Sequence, residues 1–299
     1  MSSAEAPALG TAISDATGEA FEVARLSPVP GGCIHRALRV DGEISSGKKS
    51  YFAKINDAQF AAMFASESEG LAALRGSNSI AVPGLVAQGS DDERAWLVLE
   101  WLDLSPLDAV SARTFGSALA ALHRVKHDRF GWGRDNFIGA SPQVNGWEDD
   151  WLAFWRDRRL HAQLRLAAHN RLPSKMIDRG ERLGADCGAF FRTYLPRPSL
   201  LHGDLWAGNA CASHGRPLVF DPAVYVGDRE ADIAMTMLFG GFPPAMLAAY
   251  RDELPLDDGF AVRRDLYNLY HVLNHANLFG GGYVSQAAQS IERLLAEIG

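Results

Sequence analysis

Leu200-Leu-His-Gly-Asp204-Leu-Trp-Ala-Gly-Asn209, then a short insert and Pro217-Leu-Val-Phe-Asp221, is the stretch on which the rest of the chain turns. It contains Asp204, Asn209 five residues later, and Asp221 closing an apolar run. Phosphoryl transfer from ATP needs such a set. One carboxylate orients a hydroxyl and accepts its proton, while an amide oxygen and a second carboxylate hold Mg²⁺ against the triphosphate. The competing reading is a polar β-hairpin whose Asp and Asn residues only make turns. Three ligand-type residues spaced in this way behind His202-Gly203 favour the chemical reading.

The whole sequence allows that chemistry. A chain of 299 residues, 47% hydrophobic and 22% charged, can bury a substantial core as one large domain or two ordinary ones. Its formal charge of −7 argues against general affinity for nucleic acid or an anionic membrane. A small anion such as ATP is still manageable with a few local cations and Mg²⁺. Met1 to Ala20 has no basic start and no apolar run of signal-peptide length, so no export signal is expected. No apolar window reaches the ~18 residues of a transmembrane helix. Three cysteines, Cys33, Cys187 and Cys211, suit a reducing cytoplasm better than a disulfide framework.

The N-terminal third reads as β-structure with one helix. Phe21-Glu-Val-Ala-Arg-Leu26, Ala37-Leu-Arg-Val40, Tyr51-Phe-Ala-Lys-Ile55 and Ala95-Trp-Leu-Val-Leu-Glu100 are short apolar or alternating runs separated by Gly, Pro, Ser and Asp. Between the third and fourth, Phe60, Met63, Phe64, Leu71 and Leu74 give Asp57 to Gly76 a helical spacing. This order resembles the small lobe of a protein-kinase-like fold, and the Asp204-to-Asn209 spacing resembles the kinase catalytic loop. The expected class is therefore α+β and bilobal: a small antiparallel β lobe with one main helix, residues 1–101, and a larger, mainly helical lobe, residues 102–299. Lys54, mid-strand, falls where a kinase places the lysine that bridges the α- and β-phosphates. Its carboxylate partner is Glu67 or Glu69, which lie on different faces of a helix; Glu67 is preferred. Gly31 and Gly32 either face the phosphates with their N–H groups or make an ordinary hairpin turn. Glu100 to Leu102 is the hinge expected to offer backbone groups to adenine.

Further on, Ala109 to Lys126 is an amphipathic helix with Phe115, Leu119 and Leu122 on one face, and His123 is expected to be a satisfied core or capping residue. An aromatic, Gly-rich segment from Arg129 leads to a helix expected to begin near Trp147. Tyr267 to Asn277 is unusually polar for a helix. Its His271, Asn274 and His275 bond to nearby loops, or face a polyhydroxylated ligand, or less plausibly hold a metal at i, i+4.

The succession Phe130-Gly-Trp132, Asn136-Phe-Ile-Gly139, Pro142-Gln-Val-Asn145 and Trp147-Glu-Asp-Asp-Trp151 resembles the fructosamine kinase (ketosamine 3-kinase) family. So do His202 to Asn209, Phe220 to Met235, Leu238-Phe-Gly-Gly-Phe242, Leu273 to Gly280, and, in the small lobe, Gly31-Gly-Cys-Ile34, Phe52-Ala-Lys54 and Met63 to Glu67. The resemblance covers nearly the whole chain from about Ala20. It implies ATP- and Mg²⁺-dependent phosphorylation of the ketose O3 of sugar-amine adducts, whose product sheds the sugar. Asp204 would be the base, Asn209 and Asp221 the metal ligands, Lys54 the phosphate lysine and Glu67 its partner. Gly31, Gly32, Ile34, Glu100 and Leu102 would line the nucleotide, and Trp206, Arg229, Glu230 and Asn145 the substrate. Cys33 matches a cysteine that in some relatives forms an intersubunit disulfide, so a monomer or a redox-dependent homodimer is implied. Asp232 is assigned to bracing the catalytic loop. The alternatives are a kinase of another hydroxylated amine, such as an aminoglycoside, and an inactive nucleotide-binding relative.

Overall fold

A computed structural model describes residues 5–30 and 34–299. Gly31, Gly32 and Cys33 lie outside the described residues. The chain opens with helix α1 (Glu5–Thr17), then β1 (Glu22–Pro28), β2 (Arg36–Ile44) and β3 (Gly47–Asp57). Helix α2 (Ala61–Gly76) precedes β4 (Leu85–Ser90) and β5 (Arg94–Glu100). The five strands form one antiparallel sheet in the order β1-β2-β3-β5-β4. Alternation along β2 and β3 sends Leu38, Val40, Tyr51, Ala53 and Ile55 into a core covered by Leu9 and Ile13 of α1. On α2, Phe64, Leu71 and Leu74 are buried with Leu97 and Leu99 of β5, as their spacing predicts.

Strand β4 has no counterpart in the sequence reading. It follows Pro83-Gly84, contains Gln88-Gly89-Ser90, and pairs with β5 through a register shift between Leu85 and Ala87. Turn-rich composition and a bulged edge position hide such a strand from pattern recognition.

The chain then passes through β6 (Leu104–Ser105) into α3 (Ala109–His123). Asp108 starts this helix: its carboxylate accepts from the N–H groups of Val110 and Ser111, and the Ser111 hydroxyl accepts from Asp108 N–H in return. Phe115, Leu119 and Leu122 are fully buried. Two short strands, β7 (Asn136–Ile138) and β8 (Ser141–Gln143), precede α4 (Trp151–Phe154), which begins four residues later than the sequence suggests because Asp150 caps it through Ala153 N–H at 2.6 Å. Trp147 stays in the loop, 44% exposed, while Trp151, Phe154 and Trp155 enter the core. A π-helical turn over Trp155–Leu160 links α4 to α5 (His161–His169), and α6 (Ser174–Asp186) follows.

Four strands carry the chemistry-bearing loops: β9 (Pro198–Leu201), β10 (Ala210–Ser213), β11 (Arg216–Val219) and β12 (Tyr225–Asp228). β9 pairs with β12, while β10 pairs with β11 and with β6. Four helices complete the chain: α7 (Glu230–Leu238), α8 (Pro244–Glu253), α9 (Phe260–Phe279) and α10 (Gly282–Ile298). The sheet face under α2 is continuous with the helical part, since Phe64, Leu97, Phe115, Leu200, Val219, Ile233 and Met246 share one core. Among the described residues no helix is long and apolar enough to cross a membrane.

Candidate active site

Strands β9 and β12 are paired side by side, and the loop leaving β9 carries Asp204. Two features shape that loop. Gly203 has φ +83°, and a Cβ there would stand 2.0 Å from the Ala223 carbonyl oxygen, so only glycine fits. Asp232, on the first turn of α7, accepts from His202 N–H at 2.8 Å with one oxygen and from Gly203 N–H at 2.9 Å with the other. That is the bracing role expected of it. His123 backs Asp232 at 3.3 Å and contacts the Tyr250 hydroxyl at 2.9 Å, a satisfied core histidine as expected. The His202 ring meets the Phe220 carbonyl at 3.0 Å, tying the loop to the segment that carries Asp221.

The Asp204 side chain is 24% exposed. Burial, followed by the charges of Asp221 and Asp232, pushes its pKa up to about 7. A carboxylate poised there suits a group that takes a proton near neutrality. Asn209 donates its side-chain N–H to the Asp204 carbonyl at 2.9 Å, which turns its amide oxygen away from that contact. Asp221 sits at φ +56°, a left-handed conformation that Asp tolerates better than most residues, and its side chain is 41% exposed.

Lys54 reaches these groups from β3. Its ammonium donates to Glu67 at 2.7 and 2.9 Å and also pairs with Asp221. Burial works against its charge, but Asp221 and Glu67 outweigh burial and hold it protonated well above the ordinary lysine range. Burial pushes Glu67 up to about 7 despite the lysine, because Asp221 competes for the same cation. Between the two candidate carboxylates the geometry is decisive: Glu67 faces Lys54. Glu69 turns to the other side of α2, accepting from the Trp132 indole at 3.0 Å and pairing with Arg134.

Other expected site residues fall elsewhere. Glu230 is fully buried in a two-point ion pair with Arg263 at 2.7 and 3.1 Å. Arg229 is spent on the carbonyls of Leu254 and Pro255 and on the Tyr250 hydroxyl. Asn145 is buried among Asp135, Asn136 and Arg159. All three brace the scaffold and do not offer free groups to a substrate. The Glu100 carboxylate accepts from Gly84 N–H at 2.7 Å, and its own N–H donates to the Gly84 carbonyl at 2.8 Å. With Leu102 it lines a groove of about 640 Å³ that contains none of Lys54, Asp204, Asn209 and Asp221. Ile34 is partly exposed; its carbonyl accepts from the Asn56 amide at 3.0 Å.

Trp206, two residues past Asp204, is 40% exposed and begins a run of rings: Phe239 at 6.3 Å, then His275 at 5.3 Å, then Phe279 and Tyr283. His271 of α9 places Nδ1 3.9 Å from Asp204 Oδ1. The sequence leaves open whether His271 bonds to loops or faces a polyhydroxylated ligand, since no local pattern signals a neighbour 67 positions away. His275 turns its Nδ1 onto the His271 carbonyl at 2.8 Å, and among the described residues there is no cluster of three His, Cys, Asp or Glu side chains suited to a metal.

Comparison with known proteins agrees with this geometry. The fructosamine kinase family model matches residues 6–297. A probable ketoamine kinase of Synechocystis is 42% identical over 290 residues, covering 95% of this chain and 94% of its own. A chloroplastic protein-ribulosamine 3-kinase of rice is 36% identical, covering 93% of this chain and 81% of its own. A Haemophilus somnus crystal structure, provisionally designated a fructosamine-3-kinase, superposes with TM-score 0.88 at 29% identity over 96% of each chain. An ADP-bound aminoglycoside phosphotransferase shares the fold alone, with TM-score 0.61 at 15% identity over 91% of this chain and 95% of its own. With a family match over nearly its full length and a kinase-like arrangement of Lys54, Glu67, Asp204 and Asp221, the chain belongs to the fructosamine kinase family.

Proposed function

We propose that the chain transfers the γ-phosphoryl group of ATP to the O3 hydroxyl of ketosamines, the fructosamine- and ribulosamine-type adducts of sugars with amines. The observation that carries this is the meeting of Lys54, paired with Glu67, and Asp221 beside a carboxylate whose pKa is pushed up to about 7. Lys54 would meet the α- and β-phosphates, held extended by Glu67. Asp204 would orient the acceptor hydroxyl and take its proton as the oxygen attacks phosphorus, with the ADP oxygen leaving in line. The product, a ketosamine 3-phosphate, loses the sugar, so the biological outcome is removal of the adduct from an amine.

Mg²⁺ fits the residues present. Asn209 has turned its amide N–H inward, leaving an oxygen, and the Asp221 carboxylate is partly open; both are hard oxygen donors of the kind Mg²⁺ takes beside substrate phosphates. When bound, the ion would neutralise charge on the β- and γ-phosphates. Asp221 would exchange part of its contact with Lys54 for it.

The family's substrate and the exposed ring wall starting at Trp206 support a small-molecule or protein-bound ketosamine as partner; the formal charge of −7 speaks against nucleic acid or an anionic membrane, and the sparse cysteines suit a cytoplasmic setting. We keep a monomer, or a homodimer formed through Cys33, as the assembly to be tested by gel filtration with and without reductant. Incubation with ATP, Mg²⁺ and a panel of synthetic ketosamines beside aminoglycosides, read as ADP release, tests the activity. Release with ketosamines supports it; release only with aminoglycosides moves the chain to the alternative acceptor, and no release with either marks it as an inactive relative.

A further inference from the structure

His271 stands apart from the polar groups around it. Nearby on α9 the Tyr270 hydroxyl donates to Gln143 at 2.9 Å, Asn274 donates to the Ile138 carbonyl at 3.3 Å, and His275 Nδ1 donates to the His271 carbonyl at 2.8 Å, while Asn268 Oδ1 is buried without a partner. Neither ring nitrogen of His271 has a hydrogen-bond partner among the described residues. Its Nδ1 is 3.9 Å from Asp204 Oδ1, too long for a hydrogen bond. The ring itself is held: the residue is 6% exposed, and Tyr270 packs against it at 5.2 Å between ring centroids. Although the residue is buried overall, its ring nitrogens are not among the sealed, unpaired atoms, so their donor and acceptor capacity is open to an incoming group.

We propose that His271 is an acceptor-binding residue, which holds the substrate hydroxyl at C4 while Asp204 holds the neighbouring hydroxyl at O3. Two receiving groups 3.9 Å apart match two hydroxyls on adjacent carbons better than one. The imidazole can serve either hydroxyl lone pair or proton because burial keeps it neutral, with its pKa lowered to about 3. A charged ring there would pair with Asp204 and blunt it as a base. Because His271 rides on a 20-residue helix packed in the core, the second contact is set by a rigid element and can select which hydroxyl faces phosphorus. This inference rests on the ketosamine reading above and deepens it by naming a determinant of regiochemistry.

The test is a cycle of enzyme variant against substrate analogue, using wild type, His271→Ala and His271→Gln with a ketosamine and its 4-deoxy analogue. Folding and nucleotide binding are followed by the thermal shift that ATP produces. With the full acceptor, His271→Ala should raise KM at least tenfold with a smaller change in kcat, while His271→Gln, which keeps a donor and an acceptor, recovers part of the loss. With the 4-deoxy analogue the wild type should lose a similar factor, and His271→Ala should then cost less than twofold more. Multiplying losses, or an unchanged KM for His271→Ala, would overturn the assignment. Should His271→Ala fail to fold, the same cycle with His271→Gln decides it, since a residue acting only in packing gives equal ratios for both acceptors. A wild type that binds ATP but phosphorylates no ketosamine sinks the underlying reading, and is told apart by failing before any variant is made.

Discussion

Gly203 is the residue whose replacement isolates the shape of the catalytic loop from its chemistry. Its φ of +83° and the 2.0 Å approach of the Ala223 carbonyl leave no room for a Cβ. Gly203→Ala should therefore displace Asp204 or the strand beside it, lowering kcat by at least ~100-fold, since misplacement by an ångström has that order of effect. Loss of activity with normal ATP binding is the expected assay result; near-wild-type kcat would show that the loop relaxes freely. His271 gives a second residue-scale prediction. Its folded pKa, about 3, lies below the ordinary 6.5, so the unfolded chain binds the proton first and stability is lost as pH falls from about 6.5 toward 3. The slope approaches about 1.4 kcal/mol per pH unit within that window. Asp204, Glu67 and Glu230, all raised to about 7, act in the opposite sense, losing stability as pH rises from the ordinary carboxyl range near 4 through about 7, so the wild-type profile mixes the two. The difference between wild type and His271→Gln separates them. Denaturant midpoints should show the variant gaining relative to wild type as pH drops from 7 to 4.5, and a pH-independent difference would count against a neutral buried ring.

Helix α2 is anchored at two points that do different things. Glu67 faces the cleft and holds Lys54, while Glu69 faces the aromatic loop through Trp132 and Arg134. Stranding one member of a buried pair costs about 3–5 kcal/mol, and losing Glu67 costs less than that because Lys54 keeps Asp221. Glu67→Gln should thus cost both melting temperature and ATP affinity, whereas Glu69→Gln should leave nucleotide affinity within about twofold, because its partners are more exposed and lie outside the lysine's contacts. Isothermal titration with ATP checks the contrast, and equal losses would mean that the helix moves as a unit when either anchor goes. How much of this was legible from sequence follows from the range of the contacts. Lys54 mid-strand, Phe64, Leu71 and Leu74 on one helix face, and Asp204 five residues before Asn209 are local patterns, and each lies where its spacing places it. Arg229, Glu230 and Asn145 were misread as pocket residues because their partners, Arg263, Leu254 and Arg159 among them, come from elsewhere in the chain. Strand β4 is hidden because it is written in turn residues, and the choice between a loop-bonding and a ligand-facing His271 stays open in sequence because it is close to Asp204 only in space.

At the scale of the molecule, the sheet and the helical part are tied by one core. Phe64 of α2, Leu97 and Leu99 of β5, Phe115 of α3 and Ile233 of α7 bury together, so the sheet face under α2 has no separate interior. Phe64→Ala, about 3–5 kcal/mol by the usual cost of emptying such a site, should shift a single calorimetric transition downward. Splitting into two transitions would show lobes that melt independently.

The central claim is that Asp204, facing Lys54, Asn209 and Asp221, takes the proton from a ketosamine hydroxyl during transfer from ATP. Wild type and Asp204→Asn are compared by phosphorus NMR in the presence of ATP, Mg²⁺ and one ketosamine. Wild type should form ADP together with a new phosphomonoester at O3, and the variant should bind ATP normally but turn over at least ~10³-fold more slowly. Equal turnover by the two proteins, or ADP formed by wild type at the same rate without the ketosamine, would contradict it.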